Sequence, residues 1–191
     1  MLEEARIDSC SFRSPTVVVI IGESFNKHHS SLYGYALPTN PRLAERRDRG
    51  ELFVFRDVVS PANLTTSVMN QIFSPASIDA AERWEEQPLF PVLFRRAGYA
   101  AYHLDNQAAG TVTNFHDLGL KNLFNSRSNA LLFTAVNTQR FASDLDLLNE
   151  YERIVPQTDS AELTIFHLMG QHVRYNYRFP PEEAHFRPQD Y

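Results

Sequence analysis

The chain has 191 residues, enough for one α/β domain with a sizeable core and too few for two to be expected. Its make-up, 43% hydrophobic and 21% charged, excludes wholesale disorder. A formal net charge of -5 with no basic block argues against a nucleic-acid partner, because phosphate backbones are held by clustered Lys and Arg.

Residues 1–15 are polar and irregular and read as a lead-in arm, without the basic start and apolar stretch of a signal peptide. They carry the one cysteine, Cys10, which cannot close an internal disulfide and so says nothing about compartment. Thr16-Val-Val-Val-Ile-Ile21, ended by Gly22, has the pattern of a strand buried on both faces of a parallel sheet. No apolar run approaches the about 18 residues of a membrane span; the longest, Val17 to Ile21, is strand-sized. Ser24 to Tyr35 predicts one or two helical turns, and Pro41 suits the first position of a helix running through Leu43 to Arg49. Leu52-Phe-Val-Phe55 predicts a second strand.

Thr65 to Phe73 predicts a helix that turns Val68, Ile72 and Phe73 to a core. Pro88 to Ala97 predicts another, with both prolines in its first turn and Gly98 as its breaker. Tyr99 to Leu104 is a third strand, ending in Asp105-Asn106-Gln107. Ala108 to Asn137 has weak periodicity and reads as loop-rich. Gln139 to Tyr151 predicts a helix with Phe141, Leu145, Leu148 and Tyr151 on one face. Leu163 to Leu168 is a fourth strand, followed by Gly170 and an irregular aromatic tail. The alternation gives the expected fold class: α/β, a mainly parallel sheet covered by helices. Ligands in such folds sit beyond the carboxyl ends of the strands, where Gly22-Glu23, Asp105-Asn106-Gln107 and Gly170-Gln171-His172 all fall.

Those three strand ends and the start of the Thr65 to Phe73 helix supply the candidate site residues. Glu23 could offer a metal a carboxylate from a rigid element, or simply favour a helix start. Thr65 could cap its helix, as Thr often does. It could also be a nucleophile, with the helix N-terminus holding a phosphate and a metal lowering the hydroxyl's pKa. Thr66 and Ser67 are open to the same reading. Of His167 and His172, flanking Gly170, the first suits the core and the second a site. Asn106 and Gln107 could donate to phosphate oxygens or serve a turn.

Several of these blocks resemble one bacterial family in the expected order. Gly22-Glu23-Ser24, His29-Ser-Ser-Leu-Tyr-Gly-Tyr35 and Thr39-Asn-Pro41 look like the opening of the phosphoethanolamine transferase domain, within the alkaline phosphatase/sulfatase superfamily. Ser60-Pro61 with Thr65 is similar to the segment that carries the family's nucleophile. Asp105-Asn106-Gln107 has a family-like look, and His167-Leu-Met-Gly-Gln-His172 with Tyr175, Tyr177 and Phe179-Pro180 resembles its later His-containing motif.

The resemblance implies that Glu23 is a zinc ligand, that Thr65 is both nucleophile and metal ligand, and that His172 contacts the transferring phosphoryl group or a second metal. Asn106 and Gln107 are the remaining expected substrate contacts. It implies transfer of phosphoethanolamine from phosphatidylethanolamine to lipopolysaccharide, on lipid A or core sugar, at the periplasmic face of the bacterial inner membrane. N-terminal membrane helices would lie outside this chain. Two departures qualify the match. The family's Asp-His pair followed by Gly does not occur after His172, so the resemblance covers the first part of one catalytic domain. The expectation for these residues alone is a zinc site left incomplete, with weak metal binding and no turnover. The single cysteine also tilts the match toward the disulfide-poor, core-modifying branch. The rival readings are another sulfatase-superfamily hydrolase, a phosphoglycerol transferase, and a non-catalytic binding module on the same scaffold.

Overall fold

In the computed structural model, residues 6–11, 14–79, 84–107 and 130–186 are described, with the side chain of Glu85 set aside. The chain forms two compact units, Met1–Glu23 with Pro61–Tyr191, and Ser24–Ser60.

The larger unit is built on a parallel sheet. Strands β1 (Thr16–Ile21), β2 (Ala100–Asp105), β3 (Ala135–Val136) and β4 (Glu162–His167) lie in the order β1-β4-β2-β3. Register fixes where they end: Ile21 pairs with His167, and His167 with Asp105, so three strands finish in one row. The segments that follow them therefore leave the sheet side by side.

Alternation along the strands feeds two cores, as period-2 side chains must. On one face Leu163 and Ile165 of β4 and Ala101 of β2 pack with Met69 and Phe73 of helix α2 (Thr65–Phe73) and Val92 of helix α3 (Phe90–Arg96). Leu132 and Phe133 join the same cluster. On the other, Tyr102, Leu104 and Phe166 meet Leu147 of helix α4 (Asp146–Ile154) and Val155. Helices on both faces account for a parallel sheet in a chain of this length. Gly98 ends α3 with φ 93°, a left-handed value that glycine adopts without penalty.

Several expectations are corrected. β1 is the edge strand, with Val18 and Ile20 51% and 66% exposed while Val17, Val19 and Ile21 pack inward. A run of β-branched residues has the same composition at an edge as in the middle, which is why the both-faces-buried reading fails. α2 buries Met69 and Phe73 rather than Val68 and Ile72, a rotation of about one residue. α4 begins at Asp146, not Gln139, and buries Leu147 and Glu150 while Leu145 and Leu148 face outward. Most of the loop-rich stretch from Ala108 lies outside the described residues.

The smaller unit holds two short 3-10 turns, Lys27–His29 and Ser31–Tyr33, and helix α1 (Pro41–Asp48) with its proline in the first turn. Thr39 Oγ1 accepts from Ser31 N at 3.0 Å and donates to His29 O at 2.9 Å, joining the second turn to the approach of α1. The expected strand at Leu52–Phe55 is absent: the segment joins no ladder, and Phe53 and Phe55 are 78% and 66% exposed. Alternating aromatics suit a strand, but a strand also needs a neighbour to bond with.

Candidate active site

Glu23 lies two residues past the end of β1, Gln107 two past the end of β2, and Leu168–Gln171 directly past β4. Flush strand ends bring these together, and α2 presents Thr65 to the same place. The Thr65 hydroxyl donates to Glu23 Oε2 at 2.9 Å across 42 residues of sequence. Gln107 Nε2 donates to the same carboxylate oxygen at 2.9 Å and to Leu168 O at 2.8 Å. All three side chains are part-buried, which leaves the cluster within reach of a ligand.

Thr65 is not the cap of its helix. Leu64 occupies the capping position in extended conformation, no side chain caps the helix, and the ladder opens with Val68 N donating to Leu64 O at 3.0 Å. The hydroxyl is thus free for Glu23, and the N–H groups of Thr65, Thr66 and Ser67 have no intrahelical acceptor. Exposed first-turn N–H groups with the positive end of the dipole make an anion-receptive surface beside the hydroxyl. Of the three hydroxyl residues in that turn, Thr65 is the one hydrogen-bonded to the carboxylate.

The main chain around Glu23 is tightly built. Gln171 N donates to Glu23 O at 3.0 Å, and Leu168 N to Ile21 O at 3.0 Å. Gly170 (φ 52°) sits so close that a Cβ there would stand 2.8 Å from Glu23 N and 2.9 Å from Glu23 O. Glycine is required here on both counts, by conformation and by space. Ser24 follows Glu23 with φ 53°, a left-handed value that a non-glycine residue holds only where its surroundings enforce it.

Below the site lies a buried polar layer. His167, 2% exposed, brings Nδ1 to 3.1 Å from Asp105 Oδ1, a contact that favours the ionised carboxylate. Burial by itself would raise the Asp105 carboxyl. The neighbouring His167 and His103 rings and the Gln107 N–H, 2.7 Å from Oδ1, outweigh it and bring the pKa down to about 2. His103 packs between Phe73 and Phe133, and burial holds its pKa down at about 4, with Asp105 opposing and His167 reinforcing the shift. His167 is a core residue, as its place before the glycine suggests.

The other expected contacts separate. Asn106 is 2% exposed, with Nδ2 donating to Asp144 Oδ1 at 2.8 Å and Oδ1 accepting from Phe141 N at 2.7 Å. Both ends of its amide bond within the protein, to Asp144 and to Phe141 N. Gln107 spends its amide nitrogen on Glu23 and Leu168. His172 has an exposed side chain beyond Gly170, its main chain tied by His172 N to Met169 O and by Arg178 Nε to His172 O. Asp144, which no motif marked, turns out to be central: Met169 N and Gly170 N donate to its two oxygens at 2.9 and 2.8 Å. Its partners are far along the chain, so spacing carried no signal.

As a metal centre the cluster is partial. Glu23 and Thr65 place two oxygen donors 2.9 Å apart, close enough to share one cation, whereas zinc takes three or four protein ligands. Among the described residues no group of three or more His, Cys, Asp and Glu side chains is placed to hold a metal. The residues present fit a zinc ion as two of its donors and do not complete its shell.

Known proteins resemble this chain in sequence and in fold. A family model described as Sulfatase matches residues 15–191. Phosphoethanolamine transferase EptC of Escherichia coli K12 is 28% identical over 176 residues, covering 90% of this chain and 30% of the relative. Phosphoethanolamine transferase EptA of Helicobacter pylori is 29% identical over 178 residues, covering 90% and 31%. The chain therefore spans about a third of the length of these curated relatives. Among solved structures, the C-terminal periplasmic domain of the E. coli EptC, in complex with Zn, superposes with a TM-score of 0.70 at 27% identity, covering 91% of this chain and 48% of that one. The soluble domain of lipooligosaccharide phosphoethanolamine transferase A from Neisseria meningitidis gives 0.67 at 26% identity, covering 91% and 50%.

Proposed function

The chain belongs to the sulfatase family, and on that premise we propose that its protein transfers phosphoethanolamine from phosphatidylethanolamine to a lipopolysaccharide acceptor, with Thr65 as nucleophile. The observation that carries this reading is the Thr65–Glu23 contact at the open end of α2. The Thr65 oxygen attacks the donor phosphorus, the bond to the diacylglycerol oxygen breaks, and that oxygen leaves with a proton as the alcohol. An acceptor hydroxyl then attacks the same phosphorus, displaces Thr65 and restores its hydroxyl.

The chain's own residues serve three tasks in this scheme. Glu23 accepts the Thr65 hydrogen bond and so aims the oxygen; Gln107, bonded to Glu23 and to Leu168 O, holds that carboxylate in one orientation. The first-turn N–H groups of α2 face charge on the phosphoryl oxygens. His172 is assigned a contact with the transferring group from its exposed place beyond Gly170. Glu23 and Thr65 would hold zinc, which when bound would lower the hydroxyl's pKa and offset charge on the phosphoryl oxygens. The Zn-bound EptC neighbour supports that choice. With two donors assigned to these residues, we expect weak zinc binding by the 191 residues alone; tight stoichiometric binding would contradict that expectation and leave the transfer scheme standing.

No helix among the described residues is long and apolar enough to cross a membrane. We place the site at the periplasmic face of the inner membrane by analogy with the periplasmic domain it superposes on. The decisive experiment uses phosphatidylethanolamine labelled in the headgroup. The intact protein should trap label on Thr65 in the absence of acceptor, and Thr65→Ala should trap none; label persisting in that variant refutes the assignment.

A further inference from the structure

Asp144 sits outside every motif, on the turn that leads into α4, and is part-buried there. Its carboxylate is shared among three donors: Asn106 Nδ2 and Met169 N on Oδ1, at 2.8 and 2.9 Å, and Gly170 N on Oδ2, at 2.8 Å. Two successive main-chain N–H groups on one carboxylate make short, charge-assisted bonds. Asn106, held in turn by Phe141 N, ties the end of β2 into the same knot.

The loop that Asp144 grips is the loop against which Glu23 rests. Leu168 O accepts from Gln107, whose amide nitrogen also holds the Glu23 carboxylate. Gln171 N donates to Glu23 O, and Gly170 leaves no room for a single carbon between itself and the Glu23 main chain. A shift of this loop by a few tenths of an ångström therefore moves Glu23 or its Gln107 partner. Without Asp144, the N–H groups of Met169 and Gly170 lose the acceptor that fixes the loop.

We infer that Asp144 is a positioning residue: by gripping Met169 and Gly170 it fixes Leu168–Gln171, and through them the Glu23 carboxylate that aims Thr65. Its catalytic consequence rests on the transfer reading above; its structural part does not. A residue serving only fold stability would change the melting temperature and leave the geometry at Glu23 alone.

The test compares wild type, Asp144→Ala and Asp144→Asn in the intact protein, reading amide hydrogen exchange at single-residue resolution together with kcat and donor KM. Asn keeps one acceptor oxygen, so it provides a folded comparison if the Ala variant does not fold. Exchange at Met169, Gly170 and Gln171 should speed up by roughly tenfold or more in Ala and less in Asn. The rate constant kcat should fall by about 10–100-fold, with KM for the donor little changed. Unchanged exchange at Gln171, which bonds Glu23 and not Asp144, overturns the inference. So does faster exchange that leaves both kcat and KM as in wild type. If the wild-type protein transfers no phosphoethanolamine, the functional reading fails by itself. The Gln171 amide then still decides: faster exchange upholds the link from Asp144 to Glu23, and unchanged exchange breaks it.

Discussion

The hydroxyl of Thr65 and the carboxylate of Glu23 meet at 2.9 Å although one opens a helix and the other leaves an edge strand 42 residues earlier. Because Thr65 is the first helical residue and not the cap, its hydroxyl does little for the helix. Thr65→Val, nearly isosteric, should therefore cost only about 1.5–3 kcal/mol, the worth of one hydrogen bond to a charged group, while removing transfer altogether. Thr65→Ser should keep transfer. Denaturant melts run beside activity assays check both, and a Val variant that keeps activity would remove Thr65 from the chemistry.

Gln107 supplies the second test. Its amide nitrogen joins the Glu23 carboxylate to the Leu168 carbonyl, so Gln107→Ala leaves the carboxylate with one fewer fixed donor. Loss of about 1–3 kcal/mol of stability is expected, with activity down about 10–100-fold on the proposed reading of Glu23 as a metal ligand. Gln107→Glu should be worse, because it sets two carboxylates against each other. Titrating zinc into each variant of the intact protein shows whether affinity falls in the same order.

Gly170→Ala tests the close approach. The added methyl would stand 2.8 Å from Glu23 N and 2.9 Å from Glu23 O, both main-chain atoms that cannot swing aside, at a φ of 52°. Left-handed strain alone costs on the order of 1–3 kcal/mol, and the clash must also push Glu23 from its place. Activity should fall more than thermal stability does. Gly98→Ala is the control: it too has a left-handed φ (93°), but a Cβ there meets nothing within 4 Å, so only stability should suffer.

How much of this was legible in the sequence follows from what kind of signal each feature leaves. Strands β1, β2 and β4 were readable because short apolar runs stop at Gly22, Asp105 and Gly170; Glu23 and Gln107 of the candidate site lie just past two of those stops, whereas Thr65 opens a helix. Edge or centre was not readable for β1, since position in a sheet depends on partners that composition does not name. Leu52–Phe55 failed for the complementary reason: strand-like residues with no strand beside them. Asn106 and Gln107 are neighbours with opposite fates, one turned to Asp144 and the other to Glu23, and only the register of β2 decides which. Asp144 was invisible because its partners lie 38 residues before it and 25 and 26 after it.

His103 is buried between aromatic rings with its pKa held near 4, against 6.5 for an exposed histidine, chiefly by loss of hydration. Its folded-state pKa is depressed, so the unfolded chain binds the extra proton first. Stability is full above about pH 6.5 and falls as pH drops toward 4, by about 3 kcal/mol in all at 1.36 kcal/mol per unit. Asp105 acts in a lower window: its pKa, depressed from 3.8 to about 2, contributes stability above pH 3.8 that is lost on further acidification. The two windows barely touch, so they can be told apart. Urea midpoints measured every half unit from pH 7 to pH 3 should decline steadily through the upper window in wild type. In His103→Phe, which keeps a ring between Phe73 and Phe133, they should stay nearly flat down to about pH 4. An equal slope in both proteins would assign the upper-window loss to some other group.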